Sequence, residues 1–159
     1  MLGRKKYKQE ELDQCTGAIQ KQLAAYNRPV KAIDGTAGKK VASALKAFEP
    51  LFFNNITLAL DRYFVHRLGM VTGKDSNPLN GELLSDSLIN NEGVLRANNV
   101  IKYDPDESVV KLQVGDPIKL TESDFERLSS AFFRELERRF VERKARTTRQ
   151  RPRAAAGAR

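Results

Sequence analysis

The sequence predicts a mainly α-helical fold, a bundle of four to five helices with a small β-hairpin inserted before the last helix. Apolar residues recur at three- and four-residue steps over most of the chain, which is the period of amphipathic helices. Helix-start signals precede two of these stretches, and short β-branched runs that alternate with polar residues occur at about 100–120. Helices with one apolar face each can bury these faces against one another around a shared core.

The first predicted helix runs from about Gln9 to Tyr26, and one of its faces carries Leu12, Cys15, Ile19, Leu23 and Tyr26. We expect it to end in the stretch that follows, because Pro29, Gly35 and Gly38 are unfavourable inside a helix. Cys15 is the only cysteine, so an internal disulfide and a multi-cysteine metal site are excluded. We interpret it as a small buried apolar side chain rather than a reactive thiol.

A second helical pattern starts near Lys39, and Pro50 either ends it or kinks it. Its apolar stripe consists of Val41, Leu45 and Phe48. Residues 51–68 form the predicted central helix, because their apolar side chains cover more than half of the helical circumference. These side chains belong to Phe52, Phe53, Ile56, Leu60, Tyr63, Phe64 and Leu68. Such a pattern is typical of a helix that neighbours contact on several sides.

A polar stripe interrupts the apolar surface of this central helix at Asn54, Thr57 and Asp61. Buried polar groups need hydrogen-bond partners, so the stripe has two interpretations. The three side chains could line a cavity, or they could form the solvent-exposed edge of the helix. We expect the exposed edge.

Asn77 and Pro78 form a typical helix start, with a capping side chain followed by proline at the first helical position. The predicted helix runs from Pro78 to about Asn91 and is followed by Gly93, which we expect in a left-handed conformation. The β-hairpin comes next, at about 100–120. Its alternating residues are Val110, Lys111, Leu112, Gln113 and Val114.

The last predicted helix begins after Thr121, whose side chain can accept a hydrogen bond from the backbone of Asp124, although aspartate is shorter than the usual glutamate of a capping box. A continuous apolar stripe extends to about residue 141. It consists of Phe125, Leu128, Phe132, Leu136 and Phe140. Beyond Glu142 the apolar periodicity stops and arginine dominates, so we expect residues 143–159 to be disordered in the free protein.

The net charge of +8 is concentrated at the two ends of the chain. Residues 1–8 form a basic N-terminal arm, residues 9–142 form a single helical domain, and residues 143–159 form the arginine-rich tail. The arm and the tail contain eleven of the 28 basic residues and no acidic residue, so the central domain has more acidic than basic residues. A polyanion is therefore the partner that the charge pattern favours.

The tail is the strongest functional signal in the sequence. Its candidate polyanion-binding residues are Arg143, Lys144, Arg146, Arg149, Arg151 and Arg153. Cations in this number can release counterions from nucleic acid, which makes nucleic acid or another polyanion a candidate partner. The tail has no aromatic residue for base stacking and no recognition helix accompanies it. A solubilising role, or contact with acidic proteins, ribosomes or membrane surfaces, is equally compatible with its composition.

The only histidine suggests a second candidate site, a ligand pocket beside the central helix formed by His66, Arg62 and Asp61. A packed or surface histidine is the simpler interpretation. A metal site is disfavoured, because the positions three and four residues before His66 are Tyr63 and Arg62 rather than carboxylates. No catalytic set can be assembled from the spacing of residues, so we expect no cofactor and a protein that is not an enzyme.

Two Gly-Lys sequences and an Asp-Ser-Asn sequence resemble fragments of phosphate and calcium loops. In "GTAGKK" and "GMVTGKD" the glycines are too close together for a P-loop, and no Ser or Thr follows the lysine. In "DSNPLNGELLSD" the glycine is at the seventh position instead of the sixth, and Pro78 begins a helix where a calcium loop must continue. The sequence therefore predicts neither site.

Two stretches, "YFVHRLGMVTGKDSNPLN" and "VVKLQVGDPIKLTESDFERLSSAFFRELERRF", resemble a group of small uncharacterised bacterial helical proteins. The resemblance covers about residues 40–141 and implies that the helices and the β segment form one unit; it implies no activity. We predict a cytoplasmic protein that acts by association, as a homo-oligomer and with nucleic acid through its basic termini. The alternative is a small-ligand-binding protein or enzyme with the pocket beside residues 51–68.

Overall fold

A computed structural model describes residues 7–33, 38–63, 81–99 and 102–141, and the structural statements below concern these residues. They form four helices: α1 (Gln9–Ile33), α2 (Lys39–Tyr63), α3 (Gly81–Asn90) and α4 (Glu122–Phe140). The mainly helical fold is confirmed. None of these helices is long and apolar enough to cross a membrane.

The second half of α2 is the centre of the core, and α1, α3 and α4 all pack against this helix. Phe53, Ile56 and Leu60 of α2 are buried, as the predicted central helix requires. The facing side chains are also buried, among them Ile19, Leu23, Leu83, Leu84, Phe125, Leu128, Phe132 and Leu136. Each large apolar side chain that is fully buried contributes about 1.5–3 kcal/mol to stability.

The two prolines that we expected to interrupt helices lie inside them. Helix α1 continues through Pro29 to Ile33, because Val30 beyond the proline still packs against the core. Helix α2 continues through Pro50, so the second helical pattern and the central helix are one element rather than two. Cys15 of α1 is partly buried against the core, as interpreted, and this burial raises the pKa of its thiol.

Aromatic packing on both sides of Pro50 explains why α2 does not end there. The ring of Tyr26 lies 6.4 Å from that of Phe48, before the proline, and 4.8 Å from that of Phe52, after it. It also meets Phe53 edge to face at 4.9 Å. These contacts, together with burial in the core, offset the hydrogen bond that proline cannot donate.

The predicted β-hairpin at about 100–120 is wrong for the residues described there, which form an irregular segment with a single bridge between Val94 and Pro117. The alternating sequence does not form a strand because Lys111 has a left-handed φ of 54°. The backbone is therefore not extended at this residue, and Val110 and Val114 do not lie on the same face of a strand. The segment bonds instead to residues 93–95, through the amide groups of Leu95, Gly115 and Ile118.

The polar stripe of α2 is not an exposed edge. The Asn54 amide donates to the Ile118 carbonyl at 2.7 Å and its oxygen accepts from the Leu120 backbone at 3.2 Å. Thr57 is fully buried and donates to the Phe53 carbonyl at 2.8 Å. Asn54 thus attaches the irregular segment to α2, a role that neither sequence interpretation included; the side chain of Asp61 lies outside the described residues.

The predicted end of α3 and start of α4 are confirmed. Gly93 has a φ of 72° and its amide donates to the Ser87 carbonyl at 3.0 Å. Thr121 and Asp124 form the reciprocal capping box, with backbone-to-side-chain distances of 3.2 and 3.0 Å, so aspartate is long enough for it. The start predicted at Asn77 and Pro78 lies outside the described residues.

Candidate functional site

The two basic ends of the chain meet at one place in the fold. Tyr7 forms a parallel bridge with Val141, and its backbone amide donates to the Phe140 carbonyl at 2.7 Å. The Tyr7 side chain is buried and belongs to the core, which holds the end of the N-terminal arm against the end of α4. Val141 is extended at the C-cap of that helix, directly before the basic tail. We call this junction the terminal bridge.

Several exposed cations in the described ranges surround the terminal bridge. Lys8 follows Tyr7 and is exposed, while Arg138 and Arg139 occupy the last turn of α4. Arg138 Nε lies 2.9 Å from Glu135 Oε2 and Arg139 Nε lies 2.5 Å from Glu135 Oε1. Hydrogen bonds from Arg138, then from Arg139, hold the pKa of the Glu135 carboxyl below its ordinary value.

Two acidic side chains near the terminal bridge, Glu11 and Glu135, are also engaged. Glu11 accepts a hydrogen bond from the Lys8 backbone amide at 3.0 Å, an interaction typical of the first turn of a helix. Glu135 interacts with two arginines. The charge of Glu135 is therefore partly neutralised by the two arginines, which limits its repulsion of an approaching anion.

The tail residues that the sequence nominates for polyanion binding lie outside the described residues. They are Arg143, Lys144, Arg146, Arg149, Arg151 and Arg153. Their assignment therefore stays a prediction. What the structure adds is the position of their anchor, Val141, beside Tyr7. The sequence offered no signal for this contact, because it joins residues at opposite ends of the chain.

The predicted ligand pocket cannot be assembled from the described residues. His66 lies outside them, and so does the side chain of Asp61. Arg62 is exposed in the last turn of α2. The pocket also stays a prediction. Within the described ranges, no group of three His, Cys, Asp or Glu side chains is arranged to hold a metal ion.

Among the described residues, two open grooves lie elsewhere on the surface. The larger, of about 820 Å³, lies between the irregular segment and α4 and is lined by Ser108, Lys111, Glu126, Arg127, Ser130 and Arg134, among others. Arg127 pairs with Asp124 at 2.5 Å, and Arg134 donates to the Ser130 carbonyl. The smaller, of about 360 Å³, lies between α1 and α4. Neither is lined by Arg62, and the charges of both linings are mixed.

Helix α2 also has an exposed apolar face, which includes Val41 and Phe48 of the predicted apolar stripe. Val41 is 46%, Phe48 is 49% and Leu51 is 61% exposed. Ala44 and Asn55 are also exposed and Leu58 is half-buried. We call these six residues the α2 seam. Their spacing of three and four residues was visible in the sequence, but an apolar stripe alone does not tell which of two helix faces is buried.

Comparisons of the chain with protein-family models, with curated proteins and with solved structures return no match. The resemblance to small bacterial helical proteins is not tested by them. Functional inference therefore rests on the terminal bridge and the chemistry of the residues around it.

Proposed function

We propose that this protein acts by non-catalytic association in the cytoplasm and binds nucleic acid through both of its basic ends. The observation that carries the proposal is the terminal bridge, in which the Tyr7 amide donates to the Phe140 carbonyl at 2.7 Å. Because of this contact, the arm and the tail start from one place on the domain. They can contact the same stretch of a polyanion.

Chain connectivity limits how far the nearest cations can be from the terminal bridge. Arg4, Lys5 and Lys6 precede Tyr7 by at most three residues, and Arg143 and Lys144 follow Val141 by at most three. An extended chain spans about 3.6 Å per residue, so these five Cα atoms lie within about 11 Å of the bridge. Lys8 and the last turn of α4 add exposed cations from the domain itself.

Concentrating charge in this way strengthens binding to a polyanion. Each phosphate neutralised on duplex DNA contributes about 0.9 to the slope of log K against log salt. Seven tail cations could contribute about 6 to this slope, and the three cations before Tyr7 about 3 more. The ends contain no exposed aromatic residue in the described part, and Tyr7 is buried, so we propose binding that is electrostatic and tolerant of sequence.

The proposal is tested with a short fluorescent DNA duplex and a salt series from about 50 to 200 mM. Fluorescence anisotropy is measured for the full chain, for a chain truncated after Glu142, and for a triple variant Arg4→Ala, Lys5→Ala, Lys6→Ala. We expect both changes to weaken binding and lower the salt slope, by up to about 6 and about 3 respectively.

The matched control is Lys21→Ala, Arg28→Ala, Lys31→Ala, which removes the same charge from exposed positions of α1. Lys31 is about 33 Å along the helix from Gln9, at 1.5 Å per residue. If the control lowers the slope as much as the arm variant does, the bridge is not the binding site. Full binding by the truncated chain, or no binding by the full chain, would also contradict the proposal.

A further inference from the structure

Three exposed arginines form a line along α4 that begins beside the terminal bridge. They are Arg138, Arg134 and Arg127, at steps of four and seven residues, and all three are exposed. At about 100° per residue these steps return to the same side of the helix within about 40°. At a rise of about 1.5 Å per residue, the line is about 16 Å long. We call these three residues the α4 arginine line.

The α4 arginine line is not interrupted by acidic side chains. Between its two ends, the other residues on the same side of the helix are Ser130 and Ala131. Glu135 and Glu137 lie about 80° away, one on each flank, by the same helical geometry. An anion that follows the line therefore meets guanidinium groups more closely than carboxylates.

The larger groove lies along the far part of this line and adds a cation from the opposite wall. Arg127 and Arg134 line the groove from α4, and Lys111 lines it from the irregular segment. Glu107 and Glu126 also belong to the lining, so cations outnumber carboxylates by three to two there. Both walls can thus donate to a phosphate chain that lies between them.

The arginines of the line keep hydrogen-bond donors for a ligand. Arg127 pairs with Asp124 at 2.5 Å, and Glu135 holds Arg138 at the last turn. A guanidinium group has five N–H donors, so each of these pairs leaves others available. Among the described residues, Arg134 bonds only to the neutral carbonyl of Ser130, at 3.4 Å. Its charge is therefore not neutralised by a carboxylate.

We infer that a nucleic-acid strand held at the terminal bridge continues along the α4 arginine line, with its phosphates contacted by Arg138, Arg134 and Arg127 and by Lys111 from the opposite wall. The inference rests on the proposed function and adds the path of the strand across the domain. Phosphates of one strand of duplex DNA recur every 3.4 Å of axis, so the line corresponds to about five of them. Such contacts position the backbone and carry no sequence information.

Helix α1 also begins beside the terminal bridge, but its charges do not favour the same partner. Residues 9–20 contain no lysine or arginine, and the first cation of the helix is Lys21. The same stretch contains Glu10, Glu11 and Asp13. A strand that left the bridge along α1 would meet carboxylates first, and their repulsion directs it to α4.

The first experiment measures the salt slope of binding to the same DNA duplex for the full chain carrying Arg127→Gln and Arg134→Gln. We expect the slope to fall by about 2, since each phosphate contact contributes about 0.9. The charge-conserving variant Arg127→Lys, Arg134→Lys should keep the slope of the wild type. Circular dichroism of each variant checks that the helices are retained.

The matched control is Lys39→Gln, Lys40→Gln, which removes the same charge from exposed positions at the start of α2. Lys39 lies about 21 Å along this helix from Phe53, at 1.5 Å per residue. The ring of Phe53 is the one that contacts Phe125 of α4. We expect the control to leave the slope unchanged.

The outcomes separate this inference from the proposed function. If truncation after Glu142 lowers the slope but the glutamine pair does not, the strand does not follow α4 and the basic ends remain its site. If the control lowers the slope as much as the glutamine pair does, the effect belongs to total charge and the path is wrong. If the full chain does not bind the duplex, both proposals are wrong.

The second experiment needs no variant, so misfolding cannot imitate its result. The wild type is modified with phenylglyoxal, which reacts with exposed arginines, with and without the duplex at low salt. After cleavage following glutamate, the peptide 127–135 contains Arg127 and Arg134, and the peptide 12–49 contains Arg28 as its only arginine. Mass spectrometry should show that the duplex slows modification of the first peptide and not of the second. Equal modification of Arg127 and Arg134 with and without the duplex would overturn the inference.

Discussion

The two halves of α2 differ in how many of their large apolar side chains are buried. After Pro50, Phe53, Ile56 and Leu60 are buried among three other helices. Before Pro50, the residues from Lys39 to Ala44 are all exposed, and Phe48 is only half covered. An apolar residue of α2 therefore contributes most to the stability of the single chain where other helices surround it. In the first half, Val41 and Phe48 remain exposed.

The largest expected difference between the two halves is at their phenylalanines. Phe53→Ala should lower the free energy of unfolding by about 3–5 kcal/mol, because it leaves a cavity in the core. Phe48→Ala should lower it by about 1 kcal/mol, because half of the ring is already in solvent. Urea unfolding followed by circular dichroism measures both. Equal losses would refute the comparison.

Pro50 lies at the junction of the halves, and its replacement tests how they are joined. Pro50→Ala should raise the free energy of unfolding by about 1–2 kcal/mol. The new amide can donate to the Lys46 carbonyl, which stabilises the helix, and this gain is partly offset because the unfolded chain without proline has more conformational entropy. Pro29→Ala in α1 is the matched variant. A loss of stability in Pro50→Ala would mean that the proline has a packing role that outweighs the missing hydrogen bond.

Two adjacent asparagines distinguish the faces of α2. Asn54→Ala should destabilise the protein by about 1–3 kcal/mol, because it leaves the Ile118 carbonyl and the Leu120 amide without their partner. Asn55→Ala is the control and should change stability by less than about 0.5 kcal/mol, since its side chain is exposed. Hydrogen exchange at Leu120 should be faster in Asn54→Ala only. Similar effects of the two variants would contradict the assigned role of Asn54.

The smallest expected effect is a pH dependence at Tyr26, whose ring contacts both halves of α2. Burial, then the carboxylates of Glu49 and Glu122, raises the pKa of its hydroxyl above the ordinary value of 10.0. The unfolded chain therefore loses this proton first, and the stability that Tyr26 contributes is full below pH 10 and lost as pH rises through the folded-state pKa.

Unfolding free energies of the wild type and of Tyr26→Phe, measured from pH 8 to above pH 10, should isolate this contribution. The wild type should lose stability relative to the variant only at the alkaline end. A difference that stays constant across the whole series would show that the Tyr26 hydroxyl does not titrate differently in the folded and unfolded states.

Sequence reasoning succeeded for the elements whose signals are local. The stripe from Phe125 to Leu136 and the capping box of Thr121 and Asp124 are observed as predicted, because helix period and capping depend on residues within four positions. It failed where a distant contact overrode a local preference. The first helix was expected to end near Pro29 and the second to end or kink at Pro50, and the alternation at 110–114 suggested a strand that the described chain does not form.

The candidate sites show the same division. The basic ends could be identified from sequence, and their sign and density favour a polyanion without any structure. The sequence could not show that the two ends leave the domain at the same place, because this depends on the bridge between Tyr7 and Val141. The apolar repeat of the α2 seam was likewise readable, but its exposure was not.

The sequence by itself determined the helical class, the charged ends and the caps, since these follow from local periodicity, composition and hydrogen bonding. Only the tertiary structure decided that Phe53 is buried while Phe48 is half exposed, that Asn54 attaches the irregular segment, and that Tyr7 lies beside Val141. The physical reason is that burial and pairing depend on which distant residues arrive at a surface, and a helix with two apolar faces offers both equally until one is covered.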